Sequence, residues 1–217
     1  HNKRYLSLIT MESFNLPTLA VFGGSFDPLH NGHLYMAGEI LRQKYAQEVL
    51  FVPAAAPPHK ADRAVTPANQ RLEMLAKAVE RYEGFSYSDI ELQRDNYSYT
   101  INTLQILSNL YTEYTLKFVM GMDSLQDIHK WHRAPEMVNH YSFIIIPRPD
   151  TPPPSRGSLA EHFGQVNATK LLASIVDVQS VAIASKQVRR CYQDGSSVAG
   201  LIPESVQEYI RTHQLYA

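Results

Sequence analysis

The amino-acid sequence predicts an α/β fold, with one domain built on a doubly wound, mostly parallel sheet. Two observations lead to this prediction. Short, continuous apolar runs typical of buried parallel strands recur along the chain, and segments with helical spacing of apolar residues separate them. Strands that alternate with helices in this way form right-handed βαβ units, which assemble into a doubly wound sheet. At 217 residues the chain can bury a sizeable core in one such domain.

The individual elements follow from these patterns. Four apolar runs and one weaker candidate predict strands over residues 19–22, 49–52, 116–120, 143–146 and, for the weaker candidate, 171–176. Apolar stripes predict helices over residues 33–45, 67–82, 100–111, 186–193 and 203–213. The second helix is expected to have Thr66 as its N-cap and Pro67 at its first helical position. The stretch 148–157 contains four prolines and is expected to be a long exposed loop.

The composition describes a neutral chain with a single cysteine. The formal net charge is −1, from 20 Lys plus Arg against 21 Asp plus Glu, which argues against a strongly cationic nucleic-acid binder but allows a local basic cleft. Cys191 alone cannot form an intramolecular disulfide.

No apolar run reaches the ~18 to 20 residues of a membrane helix, and the first ten residues lack the apolar stretch of a secretory signal. We therefore expect a cytoplasmic protein, with residues 1–17 as an N-terminal extension or vector-derived tail and residues 18–217 as the folded domain.

The most specific feature is the segment 23–33, which reads Gly-Gly-Ser-Phe-Asp-Pro-Leu-His-Asn-Gly-His and joins the first predicted strand to the first helix. In a doubly wound sheet, nucleotides bind at the carboxyl end of a central strand. Gly23 and Gly24 allow the backbone to approach a phosphate, and the helix N-terminus offers N–H groups. His30 and His33 can add two imidazole donors. The segment is neither a Walker A loop nor the G-x-G-x-x-G dinucleotide fingerprint.

At these residues the chain resembles the HxGH nucleotidyltransferases, distant relatives of class I aminoacyl-tRNA synthetases. The resemblance implies a Rossmann-like nucleotidyltransferase fold and direct attack of an acceptor on the α-phosphate of a nucleoside triphosphate. It implies catalytic roles for His30 and His33. The ATP-binding residues that it implies in this segment are Gly23, Gly24, Ser25, Phe26 and Gly32. Pantetheine-phosphate adenylyltransferases and cytidylyltransferases contain close variants of the segment, so it does not choose the acceptor by itself.

Later segments resemble the bacterial nicotinate-nucleotide adenylyltransferases, in the same order. They are V-P-A-A-A-P-P-H-K at 52–60, S-Y-T at 98–100, G-M-D-S-L at 121–125 followed by Trp131, and R-P at 148–149. The resemblance implies adenylyl transfer from ATP to nicotinate mononucleotide, which gives deamido-NAD and pyrophosphate in NAD biosynthesis. It also implies Mg²⁺, which is supplied with ATP and needs no dedicated protein site.

The same resemblance assigns roles on the acceptor side. The implied substrate-binding residues are Lys60, Thr100, Trp131, His132 and Arg148. Trp131 would stack on the pyridinium ring, and backbone N–H groups near Thr100 and His132 would bind the nicotinate carboxylate. Lys60 and Arg148 are candidate phosphate contacts. Asp123 is implied as an ATP or ribose contact, and a helix N-cap is the alternative for it.

The family's second signature, I-S-S-T-x-x-R, corresponds to I-A-S-K-Q-V-R at residues 183–189. Ser185 and Arg189 match the signature and are expected to bind the triphosphate, with Arg189 acting in catalysis. Ala184 and Lys186 depart from it. Lys186 is expected to replace the lost hydroxyl with a charged phosphate contact, and the departures could equally weaken ATP binding.

Three alternatives stay open at this point. The first is another adenylyl acceptor, such as nicotinamide mononucleotide or pantetheine phosphate. The second is a non-catalytic nucleotide-binding module. The third, a nucleic-acid module, ranks last because the sequence has no basic-aromatic stripe. No Cys or carboxylate set completes a metal site with the histidines of the motif, and their titration near neutrality predicts a rate that changes between pH 6 and 8.

Overall fold

The computed structural model describes residues 16–55, 65–94, 99–179 and 181–217. Five strands form one sheet: β1 (Thr18–Gly24), β2 (Glu48–Pro53), β3 (Phe85–Tyr87), β4 (Thr115–Gly121) and β5 (Ser142–Ile146). Their order across the sheet is β3-β2-β1-β4-β5, and every neighbouring pair is parallel. The predicted α/β fold with a doubly wound sheet in a single domain is therefore confirmed, with an all-parallel sheet.

The described part of the chain also contains eight helices and a short 3₁₀ turn, Ile128–Lys130. The helices are α1 (Asn31–Arg42), α2 (Ala68–Val79), α3 (Thr100–Leu110), α4 (Met122–Asp127), α5 (Ala134–His140), α6 (Arg156–Ala173), α7 (Ser185–Asp194) and α8 (Glu204–Thr212). Helices cover both faces of the sheet. One buried cluster joins it to α1, α2, α7 and α8, and the other joins it to α3, α4, α5 and α6.

Alternate residues of each central strand supply these two clusters. On β1, Ala20 and Phe22 face one cluster, whereas Leu19 and Val21 face the other. Strands buried on both faces read as continuous apolar runs rather than as alternating patterns. The four clear apolar runs of the sequence are thus all strands of the sheet.

Several other element predictions were wrong. The predicted strand 171–176 is instead the end of α6, after which Ile175 alone forms a parallel bridge with Ile145. The predicted loop 148–157 is shorter, since α6 begins at Arg156 and the Ser155 hydroxyl caps it by accepting the Ser158 N–H at 3.1 Å. Helix α2 starts one residue late, with Pro67 rather than Thr66 as its N-cap.

The topology leaves a crevice at the carboxyl edge of the sheet, between β1 and β4. From β1 the chain reaches β2 through α1 on one face, and from β3 it reaches β4 through α3 on the opposite face. The connections therefore diverge at the middle of the sheet, and a divergence of this kind is where doubly wound folds bind ligands. Among the described residues no helix is long and apolar enough to span a membrane. Of the predicted N-terminal extension, residues 1–15 lie outside the described residues.

Candidate active site

The glycine- and histidine-containing segment lies at this crevice. Gly23 and Gly24 end β1, and His30 is the N-cap residue of α1. The segment therefore brings the last residues of the central strand and the N-terminus of a 12-residue helix to the same edge of the sheet. Unpaired N–H groups at a helix N-terminus favour bound phosphate, but in α1 the Asn31 N–H already donates to the Leu201 carbonyl at 2.8 Å and the His33 N–H to His30 Nδ1.

The two histidines form a reciprocal cap on α1. His30 Nδ1 accepts the backbone N–H of His33 at 3.3 Å, and His33 Nδ1 accepts the backbone N–H of His30 at 3.2 Å. The rings stack with their centroids 3.6 Å apart. Because each Nδ1 is an acceptor, each neutral ring has its proton on Nε2. The fold thus fixes one tautomer, in which both rings keep their proton on Nε2 as a hydrogen-bond donor.

Gly32 is required by this stacking. A Cβ added to Gly32 would lie 3.0 Å from His30 Nδ1 and 3.1 Å from His30 Cε1, so a side chain there would push against the ring. The predicted role of Gly32 in ATP binding is therefore accompanied by a steric role, which is to let the His30 ring lie over the first turn of the helix.

Burial keeps both histidines neutral. It lowers the pKa of His30 to about 4, to which the positive charge of Arg148 adds. The pKa of His33 also lies well below its usual value, first because of burial and then because a proton on the neighbouring His30 and the positive charge of Arg148 would oppose its protonation. The edges of Phe22 and Phe26 pack against the His33 ring, at centroid distances of 5.9 and 5.1 Å, and keep its surroundings apolar. The expectation that these histidines titrate between pH 6 and 8 is therefore wrong for this structure.

A buried arginine that sequence reasoning missed supports the loop beneath the histidines. The Arg71 guanidinium, on α2, donates to the Ser25 carbonyl at 2.7 Å, to the Ala54 and Ala55 carbonyls at 2.8 and 3.2 Å, and to the Thr66 carbonyl at 2.9 Å. It ties the loop after β1 to the loop after β2. The available signal was its spacing, since position 71 precedes the apolar position 75 by four residues and so shares its buried face.

Two further ATP-binding candidates of the loop, Ser25 and Phe26, are partly or fully buried. Phe26 is 1% exposed as a whole residue, and its ring packs against Phe22 and Phe51. Ser25 is half-buried, and its carbonyl is one of the acceptors of Arg71.

The second signature, residues 183–189, contacts the glycine- and histidine-containing segment 23–33. Ser185 Oγ donates to the Pro28 carbonyl at 2.9 Å, and the Arg189 guanidinium donates to the Asp27 carbonyl. Arg189 also lies 3.7 Å from the Asp27 carboxylate. Lys186 is exposed in the first turn of α7. The two signatures, which lie far apart in the sequence, thus form one continuous surface.

The departure at Ala184 has a visible consequence. Ala184 is the N-cap residue of α7, and no side-chain hydrogen bond caps this helix. A serine or threonine there would accept one of the first N–H groups of the helix. The chain therefore lacks one cap at the end of α7 that meets the proposed nucleotide site.

Two of the predicted ligand-binding residues lie at the ends of β4 and β5. Asp123 and Arg148 follow these neighbouring strands and form an exposed ion pair, with Arg148 Nε 3.0 Å from Asp123 Oδ1. A Cβ added to Gly121 would overlap Asp123 Oδ1 and lie 3.2 Å from Arg148 Nε, so a side chain there would displace this ion pair. The N-cap residue of α4 is Gly121, and the alternative interpretation of Asp123 as an N-cap was wrong.

The predicted nicotinate-binding residues also lie near one another. Trp131 packs edge-on against Phe118 of β4, with centroids 6.0 Å apart, and the next residue, His132, stacks on Tyr99 at 4.2 Å. Thr100 is the first residue of α3, directly after Tyr99. The stack therefore joins the start of α3 to the Trp131–His132 segment.

The last two predictions concern Lys60 as a phosphate contact and whether the histidines are metal ligands. Lys60 lies outside the described residues. In the part of the chain that the structure describes, no group of three or more His, Cys, Asp or Glu side chains could hold a metal ion.

Comparisons with known proteins agree with this architecture. The cytidylyltransferase-like family model matches residues 21–191, from β1 to α7. A protein of Oceanobacillus iheyensis named "probable nicotinate-nucleotide adenylyltransferase" is 35% identical over 198 residues, which are 91% of this chain and 96% of that protein. A protein of the same name from Desulfitobacterium hafniense (strain DSM 10664 / DCB-2) is 37% identical over 199 residues, 91% of this chain and 95% of its own.

Solved structures show the same fold. A Plasmodium falciparum nicotinic acid mononucleotide adenylyltransferase complexed with NaAD has a TM-score of 0.72 at 20% identity, over 92% of this chain and 97% of that one. Its complex with APC has a TM-score of 0.71 at 19% identity, over 92% and 97% of the two chains.

Fold, crevice and family model together define the class of the molecule, the cytidylyltransferase-like nucleotidyltransferases. At these identities and coverages, the chain belongs to the nicotinate-nucleotide adenylyltransferase family within that class. The family resemblance read from the sequence motifs is confirmed.

Proposed function

We propose that the chain transfers the adenylyl group of ATP to nicotinate mononucleotide, giving deamido-NAD and pyrophosphate in NAD biosynthesis. The observation that supports this most is the stacked pair His30 and His33, at the N-terminus of α1 and at the switch point of the sheet. It supplies neutral, pre-oriented donors where a triphosphate would bind. Two relatives, at 35% and 37% identity, are named as probable nicotinate-nucleotide adenylyltransferases, and their names support nicotinate mononucleotide as the acceptor.

The reaction needs no protein nucleophile. The phosphate of the mononucleotide, ionised at pH 7, attacks the α-phosphorus of ATP in line, and the bond to the bridging oxygen of pyrophosphate breaks. Catalysis then consists of positioning and of stabilising the charge that moves onto the leaving group. The Nε2–H groups of His30 and His33 donate to the α-phosphate and bridging oxygens. Because both rings are neutral in the free protein, they need not repel each other.

The rest of the donor side would hold the nucleotide through backbone and charge. Gly23 and Gly24 leave the strand end open, and the main chain of Ser25, Phe26 and Gly32 lines the same edge. Ser185, Lys186 and Arg189 approach from α7, where Arg189 would bind the leaving pyrophosphate. Asp123, which lies on the acceptor side at the end of β4, would reach across to the nucleotide or its ribose. Each of these roles is part of the proposal.

The acceptor would bind across the ends of β4 and β5. Trp131 offers an aromatic surface for the pyridinium ring, and the N–H groups near Thr100 and His132 suit a carboxylate, which accepts but cannot donate. An amide in the same position would bring its own N–H groups against donors. Arg148, together with Lys60, would bind the phosphate of the mononucleotide.

Nucleotidyltransferases of this kind generally use a divalent metal, and we assign Mg²⁺ to this chain. When bound, Mg²⁺ would neutralise the phosphate oxygens of ATP. The described residues contain no carboxylate or histidine cluster that would hold the ion alone, which suits an ion bound mainly by ATP oxygens and water. A cytoplasmic location, where both substrates are found, belongs to the same proposal.

One experiment tests the reaction and its acceptor. The purified protein is incubated with ATP and Mg²⁺, and nicotinate mononucleotide, nicotinamide mononucleotide and pantetheine phosphate are offered in parallel, with products identified by mass. We expect deamido-NAD and pyrophosphate, with the acid used at least about 10-fold faster than the amide, as unpaired polar groups penalise the wrong substrate. A faster reaction with another acceptor would reassign the substrate. Retained ATP binding without any product would indicate a non-catalytic nucleotide-binding module, for which the missing cap at Ala184 is the motivating observation.

A further inference from the structure

The end of the chain reaches the proposed site. After α8, Leu215 packs against the core, and its N–H donates to the Ile210 carbonyl at 3.0 Å. The next residue, Tyr216, donates its phenolic hydroxyl to Asp27 Oδ1 at 2.7 Å. Asp27 belongs to the glycine- and histidine-containing segment and is 5% exposed. A residue 189 positions away in the sequence thus contacts the loop that precedes α1.

Asp27 divides its two carboxylate oxygens between two partners. Oδ1 accepts the hydroxyl of Tyr216, and Oδ2 lies 3.7 Å from Nη1 of Arg189. The same guanidinium donates to the Asp27 carbonyl. The Asp27 carbonyl therefore holds Arg189 Nη1, and the Asp27 carboxylate is close enough to compete for the same guanidinium if it turns.

Tyr216 is suited to fixing that orientation. Burial, with the hydrogen bond to Asp27, raises the pKa of its phenol far above the usual value, whereas a hydrogen bond from Thr66 opposes the shift. The hydroxyl thus stays protonated in the physiological range and donates to the carboxylate. Thr66 lies at the start of α2, where Arg71 Nε donates to its carbonyl at 2.9 Å, so the tyrosine is anchored to the same support as the loop.

We infer that Tyr216 is a positioning residue for adenylyl transfer, acting through Asp27 on Arg189. A carboxylate that turns both oxygens toward one guanidinium forms a bidentate pair, which engages the donors of the arginine. By holding Oδ1 in its own hydrogen bond, Tyr216 keeps that oxygen turned away from the guanidinium and leaves Arg189 oriented for the phosphates of ATP. The inference rests on the proposed function, because it takes Arg189 as the group that binds pyrophosphate.

The variant Tyr216→Phe removes only the hydroxyl, and Tyr209→Phe is its matched control. Tyr209, on α8, also donates its hydroxyl to a carboxylate, that of Glu73 at 2.9 Å, and Glu73 has no proposed role in the site. Binding of a hydrolysis-resistant ATP analogue with Mg²⁺ is measured by calorimetry without any acceptor. We expect Tyr216→Phe to weaken binding about 10-fold, the scale of a hydrogen bond to a charged group, and Tyr209→Phe to change it less than about twofold.

A double-mutant cycle separates positioning from general destabilisation. In an Asp27→Ala background, which has no side-chain acceptor for the hydroxyl, adding Tyr216→Phe should leave nucleotide affinity unchanged, because the hydroxyl acts through that carboxylate. Steady-state kinetics of Tyr216→Phe should show a raised KM for ATP and an unchanged KM for the acceptor. Wild-type affinity in Tyr216→Phe, an equal loss in Tyr209→Phe, or additive losses in the cycle would each overturn the inference. The binding assay contains no acceptor, so a wrong acceptor assignment would appear only in turnover and would leave this test intact.

Discussion

The two halves of the proposed site are built differently. On the donor side, Asp27 and His30 are each 5% exposed and Arg71 is 1% exposed, so the polar groups are part of the core. On the acceptor side, the side chains of Arg148 and Asp123 are 56% and 58% exposed. The donor half is thus assembled before any ligand binds, whereas the acceptor half lies open to solvent.

Because of this difference in burial, we expect the donor side to contribute to stability and catalysis, and the acceptor side mainly to substrate binding. Buried hydrogen-bonded groups keep fixed positions and act in a water-poor environment, which is what charge stabilisation requires. An exposed ion pair contributes little to folding, so a ligand phosphate can replace Asp123 as the partner of Arg148 at small cost. Substitutions on the donor side should therefore change stability and turnover together, and substitutions on the acceptor side should change substrate binding alone.

The strongest test of this separation is Arg71→Met. The substitution leaves the carbonyls of Ser25, Ala54, Ala55 and Thr66 without their donor inside the protein. We expect a loss of about 3–5 kcal/mol in the free energy of unfolding, measured with urea at pH 7.5, as for other buried charged networks that lose one member.

Lys77→Met is the control for that substitution, since Lys77 lies on the exposed side of the same helix. It should change the free energy of unfolding by less than about 0.5 kcal/mol. A loss below about 1 kcal/mol for Arg71→Met would mean that the buried guanidinium does not support the loop.

The next effect in size concerns turnover. His33→Ala removes one of the two proposed donors to the α-phosphate, and kcat should fall about 10²- to 10³-fold, as for loss of one transition-state donor. Pyrophosphate release measures the rate, and circular dichroism checks the fold. His140→Ala changes an exposed histidine at the C-terminal end of α5 and should retain full activity. Activity of His33→Ala within threefold of the wild type would remove the residue from the mechanism.

The buried histidines also predict how stability depends on pH. In the unfolded chain a histidine titrates near 6.5, whereas in the folded protein burial lowers the pKa of His30 to about 4. The unfolded state therefore binds more protons between these values, and stability present above pH 6.5 is lost as the pH falls toward 4. From pH 6.5 to 4.5, His30 alone should account for a loss of about 2 kcal/mol.

His30→Asn tests this pH dependence, because asparagine still caps a helix and does not titrate. Urea unfolding at pH 7.5, 6.5, 5.5 and 4.5 should show a flatter dependence for the variant than for the wild type. Parallel curves for the two proteins would show that His30 is not buried neutral.

The fold was predictable where the sequence pattern is local. The strands of the sheet centre are buried on both faces and appear as apolar runs, but β3 has only three half-buried or exposed residues and no such run. Helix α6 was missed because it bends at Gly164, where φ is +78°. The buried residues on either side of the bend, Phe163 and Ala168, are five apart, which breaks the helical spacing.

The candidate site, like the fold, was predictable where it is formed by residues close together in the sequence. The position of His30 and His33 at the N-terminus of a helix after the first strand follows from a contiguous segment. The contacts of Arg71 and Tyr216 do not, since their partners lie 46 and 189 residues away at Ser25 and Asp27. Burial depends on such distant contacts, and for this reason the lowered pKa values of the histidines could not be read from residue types.

The smallest effect on stability is expected for Asp123→Asn, on the acceptor side. The substitution removes the negative charge beside Arg148 but keeps a similar shape in an exposed pair, so the free energy of unfolding should change by less than about 0.5 kcal/mol. Asp27→Asn is the matched change on the donor side, where the carboxylate is buried between Tyr216 and Arg189, and should cost about 1.5–3 kcal/mol. Urea unfolding of both variants gives the comparison directly, and kinetics of Asp123→Asn should show altered KM values at nearly constant stability. Equal losses of stability in the two variants would contradict the distinction between a core-built donor half and an open acceptor half.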